Sequence, residues 1–448
     1  MITFPRAGYY IAASRLRPRL DGGYTVAALR RALDFERFGG VAPTLLTVDF
    51  GAPYAEALAE FGALGLAHAG SRIRNLWDDA QADRSWLLAA AAPVAERSEG
   101  MRYTEYRDPS GAVVLALPFV QRPDWHLTTE PIEVYAGGEV VGSYAGFAPL
   151  YRAWVSSVLD ADGFDDHVIV SEARQVGELL RGGPWSLVHT VHNAHTEPPY
   201  DWDSAMDLLW TQWFETVHDY DSVVWLTEAQ KTDAERRFGA DDRWRVIAHP
   251  AIPAPHSGAP RDLDRVVMIT RLAPMKRVDD AIRAFALVVA QRPGARLEII
   301  GEGPLRSSLE ELVADLGLAD SVRLRGHVDD AASELDTAAA LLLTSRYEGQ
   351  SLAITEALAH GCPAISYDVH YGPAELIADG QSGYLVAAGD TAGLADRILS
   401  LLGDADAVER MSRAGRAWAA DHDQRAAVAR WAELFTTLLP TKTALEVN

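Results

Sequence analysis

The sequence predicts an α/β protein of two Rossmann-like halves, with an antiparallel β insertion in the first. Three observations predict it. Strand-like and helical runs alternate in two series along the 448 residues, a proline-rich stretch separates the series, and a hairpin-rich tract interrupts the first. The first series opens with the strand YYIAAS, the loop Leu20-Asp21-Gly22-Gly23-Tyr24 and a helix over residues 25–38. Residues 41–50 read as a second buried strand, and 55–61 begin a helix. Between residues 101 and 146, β-branched and aromatic runs are broken by Asp-Pro-Ser-Gly and Gly-Gly, which signal hairpins. Strands resume at 167–171, 186–192 and 222–226. The stretch His249-Pro250-Ala251-Ile252-Pro253-Ala254-Pro255 suits neither helix nor central strand and reads as a linker. Strands of the second series fall at 265–270, 296–300, 322–324, 340–344 and 363–367, and residues 405–438 are helical in pattern. The domain expectation is therefore 1–70 with 151–255, an insertion at 71–150, a second half at 256–420, and a C-terminal helix within 421–448 returning to the first half.

Composition narrows the function classes. Forty-one basic and sixty-three acidic residues give a formal charge of −22, which repels polyanions at long range and argues against nucleic-acid binding. An anionic ligand must then be met by a local cationic pocket. The single cysteine, Cys362, allows no intrachain disulfide. No run approaches the ~20 apolar residues of a membrane span, and no signal-peptide pattern opens the chain, so a cytoplasmic protein is expected.

Four segments carry candidate chemistry. Tyr347-Glu348-Gly349-Gln350-Ser351-Leu352-Ala353-Ile354-Thr355-Glu356 follows the apolar run AALLLTS and opens a helix near Ser351. That arrangement aims free backbone N–H groups and a positive dipole end at a space where phosphate could sit. Glu348 falls in the loop, and Glu356 on the helix. Second, Arg271 and Lys276 lie in the loop after the strand RVVMIT, and two cations there suit a diphosphate. Third, Gly22 and Gly23 occupy the first strand-to-helix turn, where a glycine admits close backbone approach. Fourth, the strand SLVHTV runs into a histidine-rich loop; His192 is the preferred site residue there and His195 the second choice, while His189 reads as core.

Two patterns are set aside. Gly301-Glu302-Gly303-Pro304-Leu305-Arg306 begins like a dinucleotide fingerprint, but Arg306 replaces its third glycine. The Asp-x-Asp triplets at 160, 201 and 404 follow no apolar strand and read as turns or caps, and the histidines lack zinc-type partners, so no metal is expected.

Together these segments resemble family 4 of the retaining glycosyltransferases, which have the GT-B fold of two Rossmann-like domains facing a cleft. The likeness rests on the Glu348/Glu356 and Arg271/Lys276 spacings, the Gly22-Gly23 loop and Gly301-Glu302-Gly303-Pro304. It departs where Gly349-Gln350-Ser351-Leu352 replaces the usual Gly-Phe-Gly-Leu. A narrower likeness, in the β-rich insertion and residues 366–373 and 379–386, is to teichoic-acid and serine-rich-adhesin glycosyltransferases. The resemblance implies a metal-independent enzyme moving glucose or N-acetylglucosamine from a UDP-sugar. The implied acceptor is a cell-wall polymer such as teichoic acid, with a serine-rich adhesin or another glycan as the alternative. It places Arg271 and Lys276 on the diphosphate, Glu356 on the ribose and Glu348 near the donor sugar. Gly22 and Gly23 fall near the β-phosphate, with Gln350, Ser351 and Leu352 also at the donor. His192 falls at the transferred sugar, and Gly326 and His327 beside the base. The insertion would serve acceptor binding or homo-oligomerisation, and the inner membrane surface is a second expected location. A non-catalytic acceptor-binding subunit is the competing class. Arg15, Arg17 and Arg19, at every second position, form either a cationic acceptor rim or a solvated loop paired with local acids.

Overall fold

The computed structural model describes residues 1–18, 23–51, 54–255 and 258–439. In chain order the strands are β1 (Gly8–Ala13), β2 (Thr44–Thr47), β3 (Arg72–Asn75), β4 (Tyr103–Arg107), β5 (Val113–Pro118), β6 (Pro131–Ala136), β7 (Glu139–Ala145), β8 (His167–Ser171) and β9 (Ser186–Val191). They continue as β10 (Ser222–Trp225), β11 (Trp244–Val246), β12 (Asp262–Ile269), β13 (Arg296–Ile300), β14 (Val322–Gly326), β15 (Ala338–Leu343), β16 (Ala364–Asp368) and β17 (Gly383–Ala387).

These strands make three sheets. The first is parallel with order β11-β10-β9-β8-β1-β2-β3, and the second is parallel with order β14-β13-β12-β15-β16-β17. The third is antiparallel, β4-β5-β6-β7. Their residues explain the difference. The central strands of the parallel sheets, such as Ala338–Leu343, are buried along their whole length because helices cover both faces. β4 instead has no buried residue and lies at its sheet's edge.

Each parallel sheet reverses direction once. In the first the order turns between β1 and β8, in the second between β12 and β15. Ligands of open α/β sheets bind beyond the strands' carboxyl ends at such points.

Several sequence expectations shift. β3 pairs parallel with β2, so the first sheet runs past residue 70 and the antiparallel tract begins later than 71. The strand expected over 41–50 shortens to Thr44–Thr47: Pro43 has no N–H to give a ladder, and the residues after Thr47 turn away as a loop. The first helix ends its regular turns at Asp34 and finishes as a π-turn, Phe35–Gly39. β17 was not expected as a strand. The tract 405–438 is two helices, Ala405–Asp421 and Gln424–Leu438, and Asp423 caps the second by accepting from Ala426 N–H at 2.8 Å. That second helix lays Trp431 and Phe435 against Phe35 and Tyr9 of the first half. Between the halves, Ala251 of the linker donates to the His422 carbonyl at 2.9 Å.

Candidate functional site

The second sheet's carboxyl edge is knitted by close backbone approach. Leu272 N–H donates to Glu302 O at 2.9 Å, and a Cβ on Gly303 would lie 2.4 Å from Leu272 O. The glycines of the apparent dinucleotide fingerprint therefore seat one strand-end loop on another. Gly301 has φ +138°, and its added Cβ would meet Thr270 O at 1.9 Å. Only glycine permits both. This packing fixes the loop that carries Arg271 and Lys276.

Lys276 spans the reversal point of that sheet. Its Nζ donates to Glu348 Oε1 at 2.7 Å, joining the loop after β12 to the loop after β15. Thr344 Oγ1 donates to the carbonyls of Lys276 and Arg277 (3.0 and 2.9 Å), and Arg346 N–H to that of Met275. Glu348 is pinned in turn, its N–H to His370 O at 3.0 Å and its carbonyl to Tyr371 N–H at 2.8 Å. Arg271 is exposed; its guanidinium reaches Met275 Sδ at 3.8 Å and has no carboxylate partner among the described residues. An unpaired cation thus stands beside a paired one.

Helix ends meet at the same place. Gly23 and Leu352 are the first residues of helices Gly23–Asp34 and Leu352–Ala359, and a Cβ on Gly23 would sit 3.2 Å from Leu352 Cδ1. One turn or more further on, Arg30 donates to Glu356 at 3.1 Å. Two positive helix ends, one from each half, therefore converge. Ser351 caps the second helix, its hydroxyl accepting from Ile354 N–H at 3.4 Å. Glu356, expected on a ribose, here faces Arg30 across the interface.

The remaining expectations divide. Gln350 is spent on the linker: its side chain accepts from His249 N–H at 2.6 Å and donates to His249 O at 3.1 Å. Its side chain therefore locks the halves together. Gly326 (φ +80°) and His327 stand at the tip of β14, the sheet's outer strand, with His327 against Asp329 at 3.2 Å. Gly22 and Arg19 lie outside the described residues. Arg17 pairs with Asp49 at 2.8 Å and packs over the Tyr54 ring at 4.0 Å, which contradicts a free cationic rim. Arg15 lines a cavity of the first half.

His195 is corrected to a core residue. It is enclosed by Trp210, Phe214, Trp225 and Tyr371, and burial lowers its imidazole pKa from 6.5 to about 4, with Arg237 adding to the shift. His189 is likewise buried against Trp213 and Tyr220.

His192 reaches the interface through a network the sequence reading missed. Its Nε2 lies 2.5 Å from Glu172, which also pairs with Arg31. Its ring stacks on His249 with centroids 5.5 Å apart and meets Tyr24 edge-on at 5.5 Å. Burial alone would raise the Glu172 carboxyl, yet Arg31 and His192 hold it down at about 2. Burial also keeps His249 well below the usual imidazole value, with His192 and Arg31 adding to it. Glu172 follows β8 directly, so it stands at the first sheet's reversal point. A carboxylate immediately after the strand HVIVS was the available signal; nothing local marks Arg31 or His249 as its neighbours. The carbonyl of His192 abuts Gly349, where a Cβ would come within 1.8 Å. The loops of Glu348 and His192 are therefore in contact.

Among the described residues no group of three or more His, Cys, Asp or Glu side chains is arranged to hold a metal ion. Two of the Asp-x-Asp triplets have structural partners: Asp404 caps a helix by accepting from Ala407 N–H at 2.8 Å, and Asp162 accepts from Tyr10 at 2.5 Å.

Residues 255–418 match the family described as glycosyl transferases group 1. Poly(glycerol-phosphate) alpha-glucosyltransferase of Bacillus subtilis is 31% identical over 223 residues, covering 49% of this chain and 33% of that protein. Poly(ribitol-phosphate) alpha-N-acetylglucosaminyltransferase of Staphylococcus aureus is 29% identical over 257 residues, 56% of this chain and 50% of that one. The GtfA subunit of a peptide N-acetylglucosaminyltransferase from Streptococcus gordonii is 30% identical over 238 residues, 50% of this chain and 46% of that subunit. The matched portions thus span half or less of these relatives' lengths. Over nearly the whole chain the fold is that of S. aureus TarM (TM-score 0.76, 17% identity, 96% of this chain and 99% of that one). It is equally that of pneumococcal GtfA, solved with UDP and GlcNAc (TM-score 0.75, 17% identity, 97% and 100%). The architecture is therefore GT-B, with an antiparallel sheet added.

Proposed function

We propose that this chain is a retaining glycosyltransferase that moves a hexose from a UDP-sugar to a hydroxyl of a polymeric acceptor. The observation that carries the proposal is the Lys276–Glu348 pair at the second sheet's reversal point, beside the exposed Arg271 and two converging helix ends. A diphosphate leaving group gains negative charge as its bond to the sugar breaks. Fixed cations and helix N–H groups stabilise that charge more in the transition state than in the ground state, which accelerates the step. Lys276, oriented by Glu348, would turn its charge to the diphosphate of a bound donor.

Departure of UDP leaves an oxocarbenium-like sugar. The acceptor hydroxyl attacks from the face the diphosphate vacates, and a phosphate oxygen takes its proton. Retention then needs no protein nucleophile. Glu356 and the nearby backbone would hold the ribose, the tip of β14 with Gly326 and His327 the base, and His192, oriented by Glu172, the transferred sugar. The cations take the part a metal plays in other transferases, so none is proposed.

The relatives named for poly(glycerol-phosphate) and poly(ribitol-phosphate) support a teichoic-acid polymer as the first acceptor to try, and the peptide N-acetylglucosaminyltransferase subunit supports a peptide as the second. A non-catalytic subunit is the weaker reading, because Arg271, Lys276 and Glu348 are all in place. The test is hydrolysis of a panel of nucleotide sugars, followed by mass spectrometry of products on candidate acceptors. Turnover of a UDP-hexose supports the assignment; no turnover and no binding of any nucleotide sugar would overturn it.

A further inference from the structure

A cavity of about 880 Å³ lies wholly within the first half, between the first parallel sheet and the antiparallel sheet. Cavities of this size take ligands of several ring units. One wall is the loops after β1 and β2, with Arg15 and Phe50, and the helix Leu76–Ala82 that follows β3, with Trp77. These loops stand at the same carboxyl edge from which Gly23 meets Leu352. The other wall is the antiparallel sheet, with Tyr106 and Phe119, and Trp125 stands at its side.

The walls are aromatic, and their rings are held. Phe50 stacks on Trp77 with centroids 3.9 Å apart and planes 22° apart. Trp77 Nε1 donates to Val48 O at 2.7 Å, and Tyr106 hydroxyl to Trp77 O at 2.9 Å. Trp125 stands edge-on to Phe147 at 5.2 Å, and Arg102 packs over the Phe119 ring at 4.8 Å. Yet Phe50, Phe119 and Trp125 remain 56%, 46% and 39% exposed. Large rings fixed in place and left open to water on facing walls mark a surface kept for a ligand.

Charge tells which ligand. The lining has two arginines, Arg15 and Arg107, and two carboxylates, Asp49 and Glu105. Asp49 is already met by Arg17 and Tyr54, and Glu105 by Arg107. A polyphosphate chain, charged at every repeat, would find arginines interleaved with carboxylates here and no unbroken cationic track, inside a protein of charge −22. A neutral pyranose fits both features. Its C–H face suits an aromatic π face, and its peripheral hydroxyls suit the balanced polar rim.

Resting on the transferase reading but moving its acceptor from a phosphate polymer to a neutral glycan, we propose that this groove binds the acceptor as a run of neutral sugar rings stacked on Phe50, Phe119 and Trp125. The test is direct binding of malto-, cello- and chito-oligosaccharides to the full chain, by calorimetry and saturation-transfer NMR. UDP and poly(glycerol phosphate) are titrated separately. One oligosaccharide series should bind, with an affinity indifferent to salt. Phe119→Leu and Trp125→Leu keep apolar bulk at exposed positions but remove the π face, and each should weaken that binding about fivefold or more. UDP binding with no oligosaccharide binding would overturn the groove proposal and leave the transferase reading standing. So would poly(glycerol phosphate) binding that falls steeply with salt and ignores both substitutions. Loss of UDP binding with an aromatic-dependent oligosaccharide signal would instead support the groove and remove the donor reading.

Discussion

The two parallel sheets carry charge at their reversal points in opposite ways. On the second sheet the charge lies in contiguous loops, is partly exposed, and leaves Arg271 without a counter-ion among the described residues. On the first it is buried and closed on itself, Glu172 meeting Arg31 and His192. An open arrangement can exchange an internal partner for a ligand phosphate. A closed one supports position, because breaking it leaves a buried charge uncompensated. On the proposed reading, leaving-group chemistry belongs to the second half, and the first half supplies a scaffold for the interface.

The largest effect should come from the closed network. Glu172→Gln leaves Arg31 buried without its anion and should cost about 3–5 kcal/mol of stability by denaturant unfolding. An unchanged unfolding midpoint would mean the network is not a scaffold. Lys276→Ala should do the reverse, lowering turnover about 100-fold or more with the melting temperature unchanged. A folded Lys276→Ala protein with near-normal turnover would remove the assignment of this lysine to the leaving group.

Acid should find the first half next. His195 is neutral in the fold down to about pH 4, whereas the unfolded chain takes a proton near 6.5. Between those values the unfolded state binds more protons, so stability falls as pH falls. At 1.36 kcal/mol per unit, His195 should contribute about 2 kcal/mol of the loss between pH 7 and pH 5. His195→Phe suits the surrounding rings and should flatten the stability–pH curve by that amount; an unaltered slope would place the titration elsewhere. The smallest effect is an expected absence of one. Turnover should survive excess EDTA, and abolition with rescue by magnesium or manganese would mean that Arg271 and Lys276 do not suffice.

The same contrast explains what the sequence could reveal. Lys276 and Glu348 were legible because a strand, a loop and a helix start are local patterns, and a phosphate site needs its groups at their junction. Five of the six strands of the second sheet, all but β17, were placed because apolar runs such as AALLLTS sit between turn signals. Glu172, Arg31 and His249 come from three separate segments, and only the parallel order β9-β8-β1 brings the first two together. The roles of Gln350 and His195 were misread for a related reason. A polar side chain in a loop looks like a ligand contact until the fold shows it clamped on the linker or boxed by tryptophans. Arg17 fits the second of its two expected readings, pairing with Asp49, which lies 32 residues along the chain.

The central claim is that Arg271 and Lys276 act on a diphosphate, and nucleotide affinity tests it most directly. Calorimetry in EDTA should compare UDP with uridine, on the wild-type chain and on Arg271→Ala/Lys276→Ala. Wild type should prefer UDP strongly, and the double variant should bind UDP little better than uridine while its affinity for uridine is kept. A double variant that still discriminates UDP from uridine as the wild type does would contradict the account.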